Sequence, residues 1–339
     1  MILKKKIRSA VIGLGVGAHQ ARTLAAHPNC ELIKICDFNK NKLSEIGSEF
    51  HEVIQTQNDN DVLSDPDIDL VCVASYDEFH YKQVMTALDN KKHVYVEKPI
   101  CLEKDQIKEI NNKLKKFPDL SISSNMVLRT CPLFEKVLGE VKSSKIGEIY
   151  HIEADYLWGR KQKITSGWRA EANYYSIIHG AAVHMIDLVL WIVKKKPVSV
   201  KALGSNIMVK GTRQKFNDFV ILLLEFDNKM SVKISAHGGG VHPHFHALKI
   251  FGENSTFIHD YPGTLWIDST NPDQKFKIEN TSYPAKRLRS KALISFVNYL
   301  LGSEQNVLVP KDDIFDVMSV CLAAEQAVES GNTVLIEYL

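Results

Sequence analysis

Two short motifs carry chemistry that makes sense only in combination: Gly13-Leu14-Gly15-Val16-Gly17-Ala18 near the N-terminus, and Glu97-Lys98-Pro99 well downstream. Closely spaced glycines let a backbone approach a pyrophosphate. An amine at the end of a strand in the same unit stands where a redox reaction needs one. The glycines have the right setting, because Arg8-Ser9-Ala10-Val11-Ile12 reads as a short apolar strand and Ala18 to Ala26 as a helix. The turn between them points the positive end of a helix dipole at an anion. Ala18 stands where a third glycine is usual, which such a turn tolerates. A second strand, Glu31 to Cys36, ends at Asp37, a carboxylate able to accept hydrogen bonds from ribose hydroxyls and to repel a 2′-phosphate. NAD is therefore expected over NADP, with Lys40 and Lys42 close enough to soften that preference.

These residues need elements to hold them, and the pattern supplies strands alternating with helices as far as residue 125. Asp69 to Ala74 is nearly all apolar, as in a strand buried on both faces of a parallel sheet, and ends in Ser75-Tyr76-Asp77. A helix from about Phe79 to Asp89, the strand His93 to Val96, a helix from Leu102 to Lys116 and the strand Leu120 to Ser123 follow. Ligands bind at the carboxyl ends of strands in open α/β sheets, which places Gly13, Asp37, Ser75, Lys98 and Asn125 along one crevice. Beyond residue 130 longer, alternating strands take over: Ile146 to Trp158, Val198 to Ala202, Phe219 to Phe226, Met230 to Ala236 and Ala247 to Gly252. They predict a mainly antiparallel, open sheet, with helices from Ala182 to Val193 and Asp313 to Ser330. The expected architecture is α/β: a Rossmann doubly wound parallel sheet over residues 1–125, then an α+β domain over 126–339.

Composition narrows the class. With 339 residues, 45% hydrophobic and 24% charged, the chain can bury a two-domain core. A net charge of +2 and two isolated lysine triplets, Lys4-Lys5-Lys6 and Lys194-Lys195-Lys196, argue against a nucleic-acid partner. Six cysteines form no CxxC pair and several fall inside apolar strands, as expected of buried thiols in a reducing cytoplasm. No apolar run is long enough for a membrane span, and the basic N-terminus leads into a strand instead of a signal-peptide core.

These motifs together resemble the Gfo/Idh/MocA oxidoreductases, the family of glucose-fructose oxidoreductase and inositol dehydrogenase, over almost the full length. Beside the glycine turn and Glu97-Lys98-Pro99, the similar segments are Ser75-Tyr76-Asp77-Glu78-Phe79-His80, Asn125 and Arg129, His184-Met185-Ile186-Asp187 opening a helix, and Ala323-Ala324-Glu325 to Ser330-Gly331. The resemblance implies cofactor contacts from Gly13, Gly15, Val16, Gly17, Asp37, Ser75, His80, Glu97, Lys98 and Asn125. It also implies a second-domain sheet used for a homodimer or homotetramer. Oxidation of a secondary alcohol needs a base at the carbinol oxygen. His184 is the candidate, with Lys98 donating a hydrogen bond to the same oxygen.

One departure stands out. Many relatives have an aspartate four residues before this histidine, where the present chain has Gly180, preceded by His179. Three readings follow: His179 takes part of the polar role, Lys98 and His184 work alone, or catalysis has been lost. Trp168, Arg169, Tyr174, His179, Asp187 and His244 are the substrate candidates, and Arg129 or Arg169 can pair with an anionic ligand group. Within His237-Gly238-Gly239-Gly240-Val241-His242-Pro243-His244-Phe245-His246, alternate histidines would share a face. Pro243 interrupts pairing and no acidic or cysteine ligand is near in sequence, so a loop leading into the strand Ala247 to Gly252 and bordering the substrate pocket or a subunit contact is expected, and no metal. The expected function is NAD-dependent hydride transfer to or from a hydroxyl of a sugar, nucleotide-linked sugar or cyclitol. The Asn173-Tyr174-Tyr175-Ser176 segment and the histidine-rich loop resemble relatives involved in surface-polysaccharide sugar biosynthesis. The alternative is a non-catalytic, dinucleotide-binding regulator of the same fold.

Overall fold

The computed structural model describes residues 6–271, 276–284 and 286–339, so Lys4 and Lys5 lie outside the described residues. Two compact units form. The first holds the chain up to Val127, Lys286–Phe315 and Leu339; the second holds Leu128–Ala285 and Asp316–Tyr338. A single boundary after residue 125 therefore misses the return of 286–315 to the first unit. The cause is packing. In helix Ser290–Leu300, Leu293, Phe296 and Val297 share the core of Leu24, Ile35 and Tyr95.

The first unit is a six-stranded parallel sheet of β1 (Ile7–Ile12), β2 (Cys30–Cys36), β3 (Ile54–Thr56), β4 (Leu70–Val73), β5 (His93–Val96) and β6 (Ile122–Ser124), in the order β3-β2-β1-β4-β5-β6. Helices α1 (Gly17–Ala26), α2 (Lys40–Gly47), α3 (Asn60–Leu63), α4 (Asp77–Asp89) and α5 (Lys104–Lys116) follow the first five strands in turn. Every residue of β4 is buried, as a central parallel strand requires. In α5 the buried Ile107, Ile110 and Leu114 repeat at helical spacing, while Lys113, Lys115 and Lys116 complement the helix dipole in the last turn. Register does the positioning. Ile12 lies opposite Cys36 and Val73, Val73 opposite Val96, and Val96 opposite Ser124. Five strands thus end in one row, and the residues just after them share one edge of the sheet.

The second unit holds a nine-stranded sheet of β7 (Ile149–Leu157), β8 (Ser199–Ser205), β9 (Phe219–Glu225), β10 (Ser231–His237), β11 (Phe245–Gly252), β12 (Thr256–Asp260), β13 (Gly263–Ile267), β14 (Lys277–Ile278) and β15 (Val334–Leu335). Their order is β14-β13-β12-β11-β7-β10-β9-β8-β15. The sheet is mixed: β7 and β10 run parallel and the other neighbours antiparallel. Its helices are α6 (Pro132–Lys142), α7 (Lys161–Thr165), α8 (Trp168–Glu171) and α9 (Val183–Val193), with α11 (Lys311–Ser330) following α10, the helix Ser290–Leu300. Along β7, Ile152, Ala154 and Tyr156 face inward while His151, Glu153 and Asp155 are half-buried. Helix α9 is buried from Val183 through Ile192. A π-helical turn, Ile178–Ala182, leads into it. His184 is accordingly the second residue of α9, with helical backbone already ahead of it. Among the described residues, the six cysteines are buried and form no disulfide, and no helix is long and apolar enough to cross a membrane.

Candidate active site

The glycine turn is shaped as a cradle. Gly13 adopts φ +87°, and a Cβ there would stand 2.3 Å from the Ala74 carbonyl oxygen. At Gly17 a Cβ would press on Val11 and Ala74, at 2.9 and 3.0 Å. Gly15 differs, since a Cβ would meet nothing within 4 Å. This open space is what a pyrophosphate needs from a turn. The α1 N-terminus carries no side-chain cap and no acidic residue in its first turn, so its amides suit an anion. Val16 caps that helix and is 58% exposed.

Asp37 sits at the next strand end, 4% exposed. Its Oδ2 accepts from the Leu14 amide (2.7 Å) and its Oδ1 from the Asn39 amide (2.9 Å). Each oxygen keeps a lone pair for a ribose hydroxyl. Lys42 Nζ stands 3.9 Å from Oδ2. Phe38, exposed, lies edge-to-face against Tyr76 at 5.5 Å; neither was singled out from the sequence. The residues present fit a dinucleotide in the open space at Gly15, the helix dipole and the hydrogen-bonding set.

Along the same edge, the motif around Lys98 is braced from beneath. Glu97 is buried and accepts from Gln20 Nε2 (2.7 Å) and Asn125 Nδ2 (2.8 Å). Burial raises its carboxyl above the ordinary range. Tyr95 donates to Asn125 Oδ1 at 3.2 Å. His80, also buried, spans the Pro99 carbonyl (Nδ1, 2.6 Å) and the Ser75 carbonyl (Nε2, 3.2 Å). Ser75 Oγ donates to Gln83. The expectation of direct cofactor contacts from Glu97, His80 and Asn125 thus meets side chains spent on holding strand ends together. Lys98, half-buried, is the residue this scaffold presents.

In the second unit His184 lies against Tyr156, itself part of an aromatic cluster. Its ring stacks on Tyr156 at 5.7 Å and 13°. Tyr156 in turn meets His246 edge-on at 4.8 Å, and its hydroxyl lies 3.2 Å from His244 Nε2. Tyr283 Oη accepts the His246 amide (2.8 Å) and stands 2.7 Å from that residue's Nδ1. The histidine segment is therefore less of a loop than expected: β10 runs through His237 and β11 begins at Phe245, with His246 opposite Tyr156. Tyr156 and Tyr283 escaped the sequence reading. Inward alternation along β7 was the available signal for Tyr156.

Arg129 and Asp187, both named as substrate candidates, lie against each other. Each is 1% exposed, and they form a forked ion pair, Nη2 to Oδ1 at 2.7 Å and Nε to both oxygens at 3.1 Å. Their charges are spent on each other, beside Trp191. Arg169 is held over Trp168 (4.3 Å), Trp158 (5.4 Å) and Tyr175 (5.9 Å). Tyr174 is partly exposed and edges on Phe216. His179 is buried, its Nδ1 3.7 Å from Glu325 Oε1. Glu325 accepts from Ser176 and Tyr174, and burial pushes its carboxyl up to about 7.

The parallel sheet, the glycine cradle and the acid at the end of β2 define a dinucleotide-binding oxidoreductase joined to an α+β unit. Residues 7–120 match the GFO_IDH_MocA oxidoreductase family with NAD-binding Rossmann fold, and residues 134–258 match the GFO/IDH/MocA C-terminal domain. The chain belongs to this Gfo/Idh/MocA family, and its cofactor is NAD. It is 23% identical over 270 residues to scyllo-inositol 2-dehydrogenase (NAD(+)) of Bacillus subtilis, covering 78% of this chain and 75% of that protein. It is 22% identical over 355 residues to D-glucoside 3-dehydrogenase of Escherichia coli, covering 97% of each. The crystal structure of Lactobacillus casei scyllo-inositol dehydrogenase with bound NAD(H) and scyllo-inositol superposes with a TM-score of 0.78 at 21% identity, over 98% of this chain and 99% of that one.

Proposed function

We propose that this protein is an NAD-dependent dehydrogenase acting on a secondary hydroxyl of a sugar, nucleotide-linked sugar or cyclitol. The observation that carries the reading is Lys98, presented on the same sheet edge as the glycine cradle and Asp37 by a brace of buried Glu97 and His80 with half-buried Asn125. Relatives named for inositol and glucoside oxidation support the substrate class. Gly13, Gly15 and Gly17 with the α1 N-terminus take the pyrophosphate. Asp37 takes the adenosine ribose, and Phe38 with Tyr76 offers the adenine an apolar edge. NAD, when bound, supplies the hydride acceptor. Lys98 donates a hydrogen bond to the carbinol oxygen and favours developing alkoxide charge. His184, its ring plane fixed by Tyr156, takes the hydroxyl proton on its imidazole. Assembly is a homodimer or homotetramer through the open face of the second sheet, where Leu203 and Leu223 are exposed.

The test is turnover with NAD on a panel of inositols, glucosides, free sugars and UDP- or GDP-linked sugars, followed by nicotinamide absorbance. One class is expected to react, with kcat reduced about 100-fold or more in His184→Asn and Lys98→Met. Reaction with nucleotide-linked sugars alone would support the narrower role in surface-polysaccharide synthesis. Tight NAD binding with no turnover on any member would overturn the enzyme reading in favour of a dinucleotide-binding regulator.

A further inference from the structure

The Arg169 guanidinium is held by rings, and its donors are left over. Half-buried, it lies over Trp168 at 4.3 Å, Trp158 at 5.4 Å and Tyr175 at 5.9 Å, and its Nε is buried without a hydrogen-bond partner. Aromatic faces steady a guanidinium through its flat sides, whereas its N–H donors point outward in its own plane, where rings do not engage them. A cation drawn out of water is costly unless acceptors meet those donors. The backbone beneath is fixed, because the Arg169 carbonyl accepts Gln214 Nε2 at 3.4 Å.

The surrounding segment is basic. Between Trp158 and Glu171 stand Arg160, Lys161, Lys163 and Arg169 against one acid, Glu171. Acids on this and the flanking segments are engaged elsewhere: Glu171 lies 4.0 Å from Arg213, Asp218 accepts the Val209 amide at 2.9 Å, and Glu325 accepts from Ser176. Burial lowers the Lys163 ammonium below its ordinary range, and the charges of Arg160 and Arg169 add to the fall. An anion here would relieve a local surplus of positive charge.

Position ties this cation to the candidate site. Trp158 meets Tyr156 edge-on at 6.5 Å, and Tyr156 stacks on His184 at 5.7 Å. Two rings therefore separate the guanidinium from the imidazole, all within the second unit. A hydroxyl at His184 and an anionic group at Arg169 would belong to different parts of one ligand.

We propose that Arg169 binds an anionic group of the substrate, a carboxylate or a phosphate carried several bonds from the reacting hydroxyl, and so selects charged sugars over neutral ones. The proposal rests on the dehydrogenase reading and narrows its substrate class. A planar guanidinium donates to two oxygens of such a group at once, which an ammonium does not.

Calorimetric titration of the NAD-loaded protein with glucuronate, glucose 1-phosphate and UDP-glucose, each compared with glucose, reads binding without turnover. At least one anionic probe is expected to bind about tenfold or more tighter than glucose. That advantage should disappear in Arg169→Met, which keeps a stem against the rings, and shrink in Arg169→Lys, which keeps the charge and loses the fork. Loss with glucuronate assigns a carboxylate; loss with the two phosphate probes assigns a phosphate. Arg169→Lys retains a cation over the rings, so it decides the matter if Arg169→Met does not fold. Equal affinity for charged and neutral probes, or a preference undiminished in a folded variant, would overturn the proposal. If a charged probe binds through Arg169 but no sugar is oxidised, the dehydrogenase reading fails alone; if a sugar is oxidised with no dependence on Arg169, the anion assignment fails alone.

Discussion

Glu325 shows how a single side chain records its surroundings. Ser176 and Tyr174 donate to it, His179 lies 3.7 Å away, Glu329 adds like charge, and burial outweighs the donors so that its carboxyl titrates near 7 instead of its ordinary 4.5. The unfolded chain releases this proton near 4.5 and the folded protein holds it to about 7, so the folded state binds more protons in between. Stability from this group is complete below 4.5 and falls as pH rises to 7, by up to about 3 kcal/mol. Glu325→Gln is expected to flatten that decline, visible as a Tm that drops less between pH 5 and 8 than in the wild-type protein. A steeper or equal drop would refute the assignment. At this scale legibility depended on distance along the chain. Gly13, Gly15, Asp37 and Lys98 could be picked out because a strand, a turn and a helix surround each within a few residues. Glu97 and Asn125 are 28 residues apart and Arg129 and Asp187 58 apart, and no local spacing announces such partners.

Helix α9 is the element on which the second unit's site depends, and its buried face is complete all round. A helix so enclosed cannot leave a charge unmatched, and Asp187 is matched by Arg129 from the turn Val127–Thr130. Breaking a buried pair strands one charge, at a cost of about 3–5 kcal/mol, whereas replacing both partners by apolar residues is often close to neutral. Asp187→Ala is therefore expected to lower the urea midpoint sharply, and Arg129→Met with Asp187→Leu to regain most of the loss. Equal stability of Asp187→Ala and the wild-type protein would show the pair to be incidental. The helix was legible from its apolar run to within one residue at its start, but the beginning of the π turn ahead of it was not. Ser176 fixes that start by accepting two backbone amides ahead of the apolar residues, and a π turn has no period that a sequence pattern displays. The strands β12 to β15 were likewise missed, being five residues or fewer, too short for alternation to stand out.

At the scale of the whole chain, the first unit is discontinuous in sequence, and its stability depends on that. Leu293, Phe296 and Val297 are each at most 2% exposed within the core shared with Leu24, Ile35 and Tyr95, and Phe296 lies 6.1 Å from the Tyr95 ring. Burying three such side chains contributes about 5–9 kcal/mol, comparable to the net stability of an ordinary domain. Ser123 Oγ also donates to the Val309 carbonyl at 2.9 Å, so a buried hydroxyl on β6 is satisfied only by the returning segment. A fragment of residues 6–127 should consequently expose this core, bind a hydrophobic dye and show no cooperative melting. The same fragment joined by a flexible linker to residues 286–315 is expected to melt cooperatively and to bind NAD, since the glycine cradle, Asp37 and the Lys98 brace all lie within residues 6–127. Cooperative melting of the shorter fragment would mean that helix Ser290–Leu300 is an addition to a finished core, and the two-unit division would then have to be drawn after β6 alone.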